Sequence, residues 1–148
     1  MPHVEKHAPG NFCWIELATT DQSTAKEFYS ELFGWTISEF PMGPKDFYTT
    51  FEIDGRDVAA VYTLRPEQQA RGVPAHWSLY VAVENADTAA DRARGLGAKV
   101  IAEPFDVYDV GRMAVVQDPT GAVSPCGRRN ATTASVLKAF PVHSVWLT

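Results

Sequence analysis

Two side chains in strand-like segments of this sequence could transfer protons. Glu16 lies in the alternating run from Phe12 to Leu17, and His76 begins a second run that ends at Val83. Because carboxylate and imidazole groups act as general acids and bases, we assign Glu16 and His76 as candidate catalytic residues. The alternatives are an acid at the solvent margin of a sheet and a surface or structural histidine.

Aromatic and hydroxyl side chains alternate with apolar ones in both runs. Alternate residues of a strand point to opposite faces, so Phe12, Trp14 and Glu16 share one face of the first strand. A mixed aromatic and polar face is typical of a ligand pocket, although a tryptophan can equally fill a core. The residues that we predict to bind a ligand are Phe12, Trp14, Tyr62, Ser78, Tyr80 and Arg112.

The elements that must position these residues occur twice in the same order. Each copy reads as a strand, a helix and three more strands. The strands are predicted over 12–17, 36–40, 47–53, 58–64, 76–83, 99–102 and 112–117, with one more after Gly121, and the helices over 21–33 and 86–96. Sliding the chain by 64 residues lays Ala18 on Ala82 and Leu32 on Leu96. This indicates two repeated modules, at about 11–64 and 76–128, within a single domain.

Each predicted helix has its own start and stop signals. Asp21 precedes the first helix, and Asn85 or Asp87 precedes the second, as expected of N-cap residues. Gly34 and Gly97 follow the two helices, where glycine commonly ends a helix. The first helix carries one apolar stripe, formed by Ala25, Phe28, Tyr29, Leu32 and Phe33.

Three segments carry a resemblance to a known superfamily. They read FCWIELATTDQSTAKEFYSELFGW, HWSLYVAVENADTAADRARGLGAKV and DVGRMAVVQDPTGAV. The sequence resembles the vicinal oxygen chelate superfamily, which includes glyoxalase I, bleomycin-resistance proteins and extradiol dioxygenases. The resemblance implies an α+β fold in which two βαβββ modules form a curved mixed sheet around a ligand cavity, with Arg112 near its rim or in a solvated turn. The alternative fold is a ferredoxin-like βαββαβ plait, which needs a second helix soon after residue 53.

The resemblance also implies where a divalent metal would be held. The position of the superfamily's first-strand metal ligand corresponds to Trp14 in the first module. The equivalent position in the second module is Ser78. Neither is a convincing ligand for a divalent ion. We therefore expect no cofactor and no metal, the alternative being a displaced site that uses Glu16 and His76.

Composition limits the partners of the chain. The 148 residues carry a formal net charge of -5, which disfavours binding to nucleic acid. No apolar run is long enough to span a membrane, and two cysteines are too few for a disulfide framework, so we expect a cytoplasmic protein. A homodimer is compatible with these features.

Two classes of function remain. The first is a glyoxalase/bleomycin-resistance-like protein that binds a small aromatic or amphipathic molecule in the cavity between its modules, without a catalytic metal. The second is an enzyme of the same superfamily, a lyase, isomerase or hydroxylase/dioxygenase-like protein, in which Glu16, His76 or both act as acid and base or as displaced metal ligands.

The end of the sequence departs from the repeat. The last strand should follow Gly121, but residues 124–128 read Ser-Pro-Cys-Gly-Arg, which predicts a poor strand because proline cannot donate a backbone hydrogen bond. One inserted base near codon 124 would restore alternating text of the type Phe-Ala-Leu-Trp-Gln. Our hypothesis is a one-base deletion there, which would leave residues 124–148 frame-shifted and 129–148 as an irregular tail; the alternative is a genuine divergent tail.

Overall fold

The computed structural model describes residues 7–107 and 111–129 of the chain. In chain order the elements are β1 (Phe12–Thr19), α1 (Gln22–Phe33), β2 (Thr36–Gly43), β3 (Asp46–Ile53), β4 (Arg56–Thr63), α2 (Pro66–Ala70), β5 (His76–Ala82), α3 (Ala86–Gly95), β6 (Lys99–Val107), β7 (Gly111–Gln117) and β8 (Val123–Arg129). Apart from the short α2, which lies in the linker between the two modules, this is the βαβββ order twice. The predicted α+β fold of two modules is confirmed, and β4 lies where the ferredoxin-like plait needs a helix. No helix among the described residues is long and apolar enough to cross a membrane.

Both repeated helices begin with the same capping interaction. The Asp21 side chain accepts a hydrogen bond from the Thr24 backbone N–H at 3.0 Å, and Asn85 accepts one from Thr88 at 3.0 Å. These caps satisfy backbone donors that the first turn of a helix leaves free. Because Asp21 and Asn85 lie 64 residues apart, the structure repeats with the period found in the sequence.

Strand pairing also repeats between the modules. In the first module the strand order is β2-β3-β4-β1, and in the second it is β6-β7-β8-β5. The last strand of each module runs parallel to its first strand, β4 to β1 and β8 to β5, and the other pairs are antiparallel. Each module is therefore a mixed four-stranded sheet.

Packing divides the chain differently from the sequence repeat. One compact unit is Ile15–Ser78, and the other combines the described residues up to Trp14 with those from Leu79 onward. The first unit has a core of Leu17, Phe51, Ala59 and Val61, with Ile15, Ala25, Tyr29, Trp35, Val58 and Trp77 packed against it. Trp77 comes from β5, and its indole Nε1 donates to the Tyr29 hydroxyl on α1 at 3.1 Å. The core of the second unit contains Ala90, Ala114 and Cys126.

The apolar stripe of α1 is only partly a core face. Ala25 and Tyr29 pack on the core, as expected. Phe28, Leu32 and Phe33 are 55%, 57% and 54% exposed. A periodic stripe predicts which side of a helix is apolar, but it does not predict how much of that side a sheet will cover.

β8 pairs regularly with its neighbours over residues 124–128, the segment that was predicted to be a poor strand. Its register with β7 is continuous from Val123, opposite Gln117, to Arg129, opposite Gly111. Pairing with β5 is found at Cys126 and Gly127, the two residues after Pro125, and the proline itself packs opposite Val115. The expectation of a poor strand over 124–128 is therefore wrong, since loss of one N–H does not prevent pairing on either side. Residues 130–148 lie outside the described residues, and the frameshift stays a prediction.

Candidate functional site

Glu16 places a carboxylate inside the first module. Its side chain is 0% exposed, and it points away from Leu17, which packs with α1. The hydroxyl of Tyr48, a buried residue of β3, donates to Glu16 Oε2 at 3.2 Å. A carboxylate that accepts a phenolic hydrogen bond is held in a fixed orientation, which both ligand binding and proton transfer require.

Strand register gathers further side chains on the face that carries Glu16. Ala60 pairs with Glu16 on one side and with Thr50 on the other, and Tyr62 pairs with Ala18. Paired residues point to the same side of a sheet, and so do residues two apart in one strand. We call this surface of the first module the Glu16 face; its buried members are Glu16, Ala18, Tyr48, Thr50, Ala60 and Tyr62.

Two members of the Glu16 face were predicted and two chemically useful members were missed. Glu16 and Tyr62 were both candidates, and the structure places them on this one face. Tyr48 and Thr50 were not singled out, although both lie in a strand that the sequence predicts. Because Tyr48 and Thr50 are two residues apart, they lie on the same side of that strand. The sequence does not reveal which side of the strand faces α1.

His76 and Ser78 lie half-buried in β5. The His76 ring nitrogen Nδ1 lies 2.7 Å from the backbone carbonyl oxygen of Pro74. Because a carbonyl can only accept, a hydrogen bond here requires a proton on Nδ1. The acid–base role of His76 and the ligand-binding role of Ser78 stay predictions.

Trp14, Tyr80 and Phe12 belong to the second compact unit and differ in burial. Trp14 is 7% exposed, and its buried Nε1 has no hydrogen-bond partner among the residues that the structure describes. An indole N–H in this state is a donor that a ligand could use. Tyr80 is buried, and its backbone carbonyl accepts from Cys13 Sγ at 3.4 Å. Phe12 is 63% exposed, so a ligand role for its ring gains no support from burial.

Arg112 connects β7 to the first turn of α3 through hydrogen bonds. Its guanidinium donates to both carboxylate oxygens of Asp87, from Nε at 2.7 Å and from Nη2 at 2.9 Å, and Nη1 donates to Asp106 at 3.1 Å. The hydrogen bonds from Arg112 hold the pKa of the Asp87 carboxyl below its usual range. Arg112 and Ala114 alternate onto the α3 side of β7, so the predicted ligand-binding role of Arg112 finds no support here.

A comparison with protein families identifies the chain. The model of the Glyoxalase/Bleomycin resistance protein/Dioxygenase superfamily matches residues 11–123, which include both modules up to the start of β8. The chain belongs to this superfamily. As a superfamily member it has the fold and the duplicated βαβββ order that the resemblance in its sequence implied.

Named relatives of this superfamily member occur in Mycobacterium and Streptomyces. The chain is 38% identical over 147 residues to "Putative glyoxylase CFP32" of Mycobacterium tuberculosis (strain CDC 1551 / Oshkosh), an alignment that covers 99% of this chain and 56% of that protein. It is 34% identical over 154 residues to "Anthracycline biosynthesis protein DnrV" of Streptomyces peucetius, covering 97% of this chain and 56% of that protein. The chain thus spans about half the length of these relatives.

Solved structures share the superfamily fold at low sequence identity. A variant methylmalonyl-CoA epimerase of Streptomyces coelicolor, in complex with 2-nitronate-propionyl-CoA, superimposes with a TM-score of 0.60 at 15% identity and covers 84% of this chain and 98% of that chain. Methylmalonyl-CoA epimerase from Mycobacterium tuberculosis gives a TM-score of 0.55 at 17% identity, covering 82% of this chain and 88% of that chain. At these identities the likeness establishes the fold alone.

The residues of this superfamily member do not fit the metal site that the resemblance implied. Trp14 and Ser78 occupy the two strand-start positions, and an indole N–H is a donor with no lone pair to offer a metal. Within residues 7–107 and 111–129, no three His, Cys, Asp or Glu side chains are grouped so that they could hold one ion. β8 contains no carboxylate in its sequence. We therefore assign no chemical step to a metal.

Proposed function

We propose that this protein binds a small aromatic or amphipathic molecule on the Glu16 face of its first module. The observation that carries the proposal is the buried Glu16 carboxylate, oriented by the Tyr48 hydroxyl on a sheet surface made of phenol rings, a hydroxyl and methyl groups. Small-molecule sites are mostly apolar and contain a few well-placed polar groups. The Glu16 face has this composition.

Two members of the Glu16 face have small side chains. Ala18 and Ala60 are both 0% exposed and contribute only methyl groups. Tyr62 pairs with Ala18 in the adjacent strand. The Tyr48 side chain extends from β3 across β4 to Glu16 on β1. Because Ala18 and Ala60 are fully covered, an aromatic ring reaches them only if the side chains that cover them move.

The names of relatives support an aromatic ligand. DnrV of Streptomyces peucetius is named for anthracycline biosynthesis and is 34% identical to this chain. The chain spans 56% of that protein. We accordingly propose a fused-ring aromatic compound as the first kind of ligand to test.

Loss of the Glu16 charge should weaken ligand binding. The experiment measures thermal stabilisation and fluorescence titrations with a panel of hydroxylated naphthalenes, flavonoids and anthraquinones. We expect at least one compound to bind the wild type, and Glu16→Gln to bind it about tenfold more weakly, because a charge-assisted hydrogen bond contributes roughly 1.5–3 kcal/mol. Glu39→Gln is the control, since Glu39 pairs with Lys26 of α1 on the opposite side of the sheet. Equal affinities for the two variants, or no bound compound at all, would contradict the proposal.

Binding should not require a divalent metal. After dialysis against Zn²⁺, Ni²⁺, Mn²⁺ and Fe²⁺ and then against buffer, we expect well below one metal ion per chain by elemental mass spectrometry. Ligand affinity should be unchanged by a chelator. Near-stoichiometric metal that is lost in both Glu16→Ala and His76→Ala would overturn this expectation and establish a displaced metal centre.

A second candidate function is proton transfer on the same face. The hydrogen bond between Tyr48 and Glu16 favours it, because a phenol and a carboxylate in contact can exchange roles as acid and base. The two candidates differ in what Glu16→Gln changes. If the chain is an enzyme, the glutamine variant should retain a bound substrate without turning it over, whereas in a binding protein affinity alone should fall.

A further inference from the structure

Three large apolar side chains of α1 are exposed to solvent. Phe28, Leu32 and Phe33 each keep more than half of their surface exposed. Leu32 follows Phe28 by one helical turn, and the Tyr29 ring lies 5.0 Å from the Phe28 ring and 6.1 Å from the Phe33 ring, measured between centroids. We call Phe28, Leu32 and Phe33 the α1 patch. Its members are neighbours on the first unit rather than scattered exposed side chains, and exposed apolar groups of this kind commonly mark a binding surface.

The second module shows that its helix packs without such a patch. With the 64-residue shift, the positions of the α1 patch correspond to one charged residue, one leucine and one glycine. These residues are Arg92, Leu96 and Gly97. α3 still packs on its sheet through Ala90, and its N-terminus is capped in the same way as that of α1. The helix position therefore does not require an aromatic ring, and the packing of the module does not explain Phe28 and Phe33.

The α1 patch has the size and composition of an interface centre. A phenylalanine side chain has about 150–250 Å² of surface, so the exposed halves of Phe28 and Phe33 leave roughly 200 Å² of apolar surface in water. Leu32 adds to this area. A standard interface covers about 800 Å² on each partner, with an aromatic-rich apolar centre inside a polar rim. The α1 patch alone supplies only part of this area, which favours a weak contact.

The lengths of relatives favour a second copy of this chain as the partner. CFP32 and DnrV match 99% and 97% of this chain, and the matched part is 56% of each relative. The rest of each relative is polypeptide of comparable length that this chain does not match, and a second copy would supply a similar length. An apolar patch is also self-complementary, because two copies related by a two-fold axis can pack rings and methyl groups together without opposite charges.

We propose that the α1 patch is the contact between two copies of this chain in a weak homodimer. This proposal does not depend on the ligand site of the Glu16 face. Exposed Glu27 and Glu31 also lie on α1, so each copy brings negative charge to the contact. Because salt screens repulsion between like charges, the dimer should tighten as the salt concentration rises.

Sedimentation velocity of the full chain over a range of concentrations tests the proposal. We expect the wild type to be half dimeric at roughly 1–100 µM, the range of weak interfaces. Phe28→Arg introduces the residue that α3 carries at the equivalent position, and Leu32→Lys places a charge one turn away. Each should raise the dissociation constant at least about tenfold, because a charge would enter an apolar contact.

Leu96→Lys is the matched control, since Leu96 is the exposed leucine 64 residues after Leu32. It should leave the dissociation constant within about twofold of wild type, as is usual for surface substitutions outside an interface. Urea unfolding of each variant, at a dilution where the wild type is monomeric, should give stabilities close to wild type. This measurement separates a lost interface from a lost fold.

Three results would overturn the proposal. The first is a wild type that stays monomeric over the whole range, which would leave the α1 patch to a partner other than a second copy. The second is a dimer that persists in both Phe28→Arg and Leu32→Lys or that dissociates in Leu96→Lys, because the contact would then lie elsewhere. The third is a dimer that weakens as salt rises, because its contact would then be held by ion pairs rather than by apolar side chains.

Discussion

Replacing Phe51 with alanine is expected to lower the free energy of unfolding by about 3–5 kcal/mol, the usual cost of removing a buried phenylalanine ring. Phe51 is 0% exposed and lies at the centre of the first unit's core. Its ring packs at 5.1 Å from the Trp35 ring and 6.2 Å from the Tyr29 ring, measured between centroids. Since small proteins have only about 5–15 kcal/mol of total stability, urea unfolding should show a large shift of the midpoint.

Phe28→Ala provides the control for this experiment. Phe28 is the same residue type, but it lies on α1 with 55% of its surface exposed. We expect its loss to cost less than about 1 kcal/mol, because little apolar surface returns to water. Similar midpoint shifts for Phe28→Ala and Phe51→Ala would contradict the described core.

Gly127→Ala is expected to lower the free energy of unfolding by about 1–3 kcal/mol through overpacking. A methyl group at Gly127 would lie 3.0 Å from Met113 Cβ and 3.1 Å from the Arg112 carbonyl oxygen. β7, which carries both neighbours, is paired with β6 on one side and β8 on the other, so its backbone has little freedom to move. The entropic advantage of alanine over glycine, about 0.4–1 kcal/mol, is too small to offset this contact.

Gly95→Ala is the matched glycine substitution. Gly95 is the last residue of α3, and an added methyl group there meets nothing within 4 Å. We expect stability to rise by up to about 1 kcal/mol, as is usual for glycine to alanine in a helix. Thermal unfolding of both variants should therefore show melting temperatures displaced in opposite directions, and a fall for both would show that the contact at Gly127 is not the cause.

Local signals predicted the elements of this fold because their physics is local. Asp21 and Asn85 cap helices through hydrogen bonds to backbone groups three residues ahead, and Gly34 ends α1 in the left-handed conformation that glycine tolerates. Alternation in the first strand correctly placed Glu16 and Leu17 on opposite faces of the sheet. The 64-residue period then ordered both modules without knowledge of any long-range contact.

What could not be predicted depends on contacts distant in sequence. Arg112 reaches Asp87 across 25 residues, and this pairing follows from how β7 packs under α3 rather than from any motif. Tyr48 lies 32 residues from Glu16, and its role depends on which side of β3 faces α1. β8 pairs through Pro125 because the ladders at Cys126 and Gly127 do not depend on the proline N–H, and this could be judged only once its neighbours were known.

The two compact units determine what cleavage of the chain between the repeated modules would produce. The sequence repeats break in the linker around Gly72, yet the compact unit that starts again at Leu79 also contains the described residues up to Trp14, and the unit Ile15–Ser78 contains Trp77. A single peptide cut in the linker would leave each fragment carrying a piece of the partner's unit. The fragments should therefore remain associated as a nicked protein.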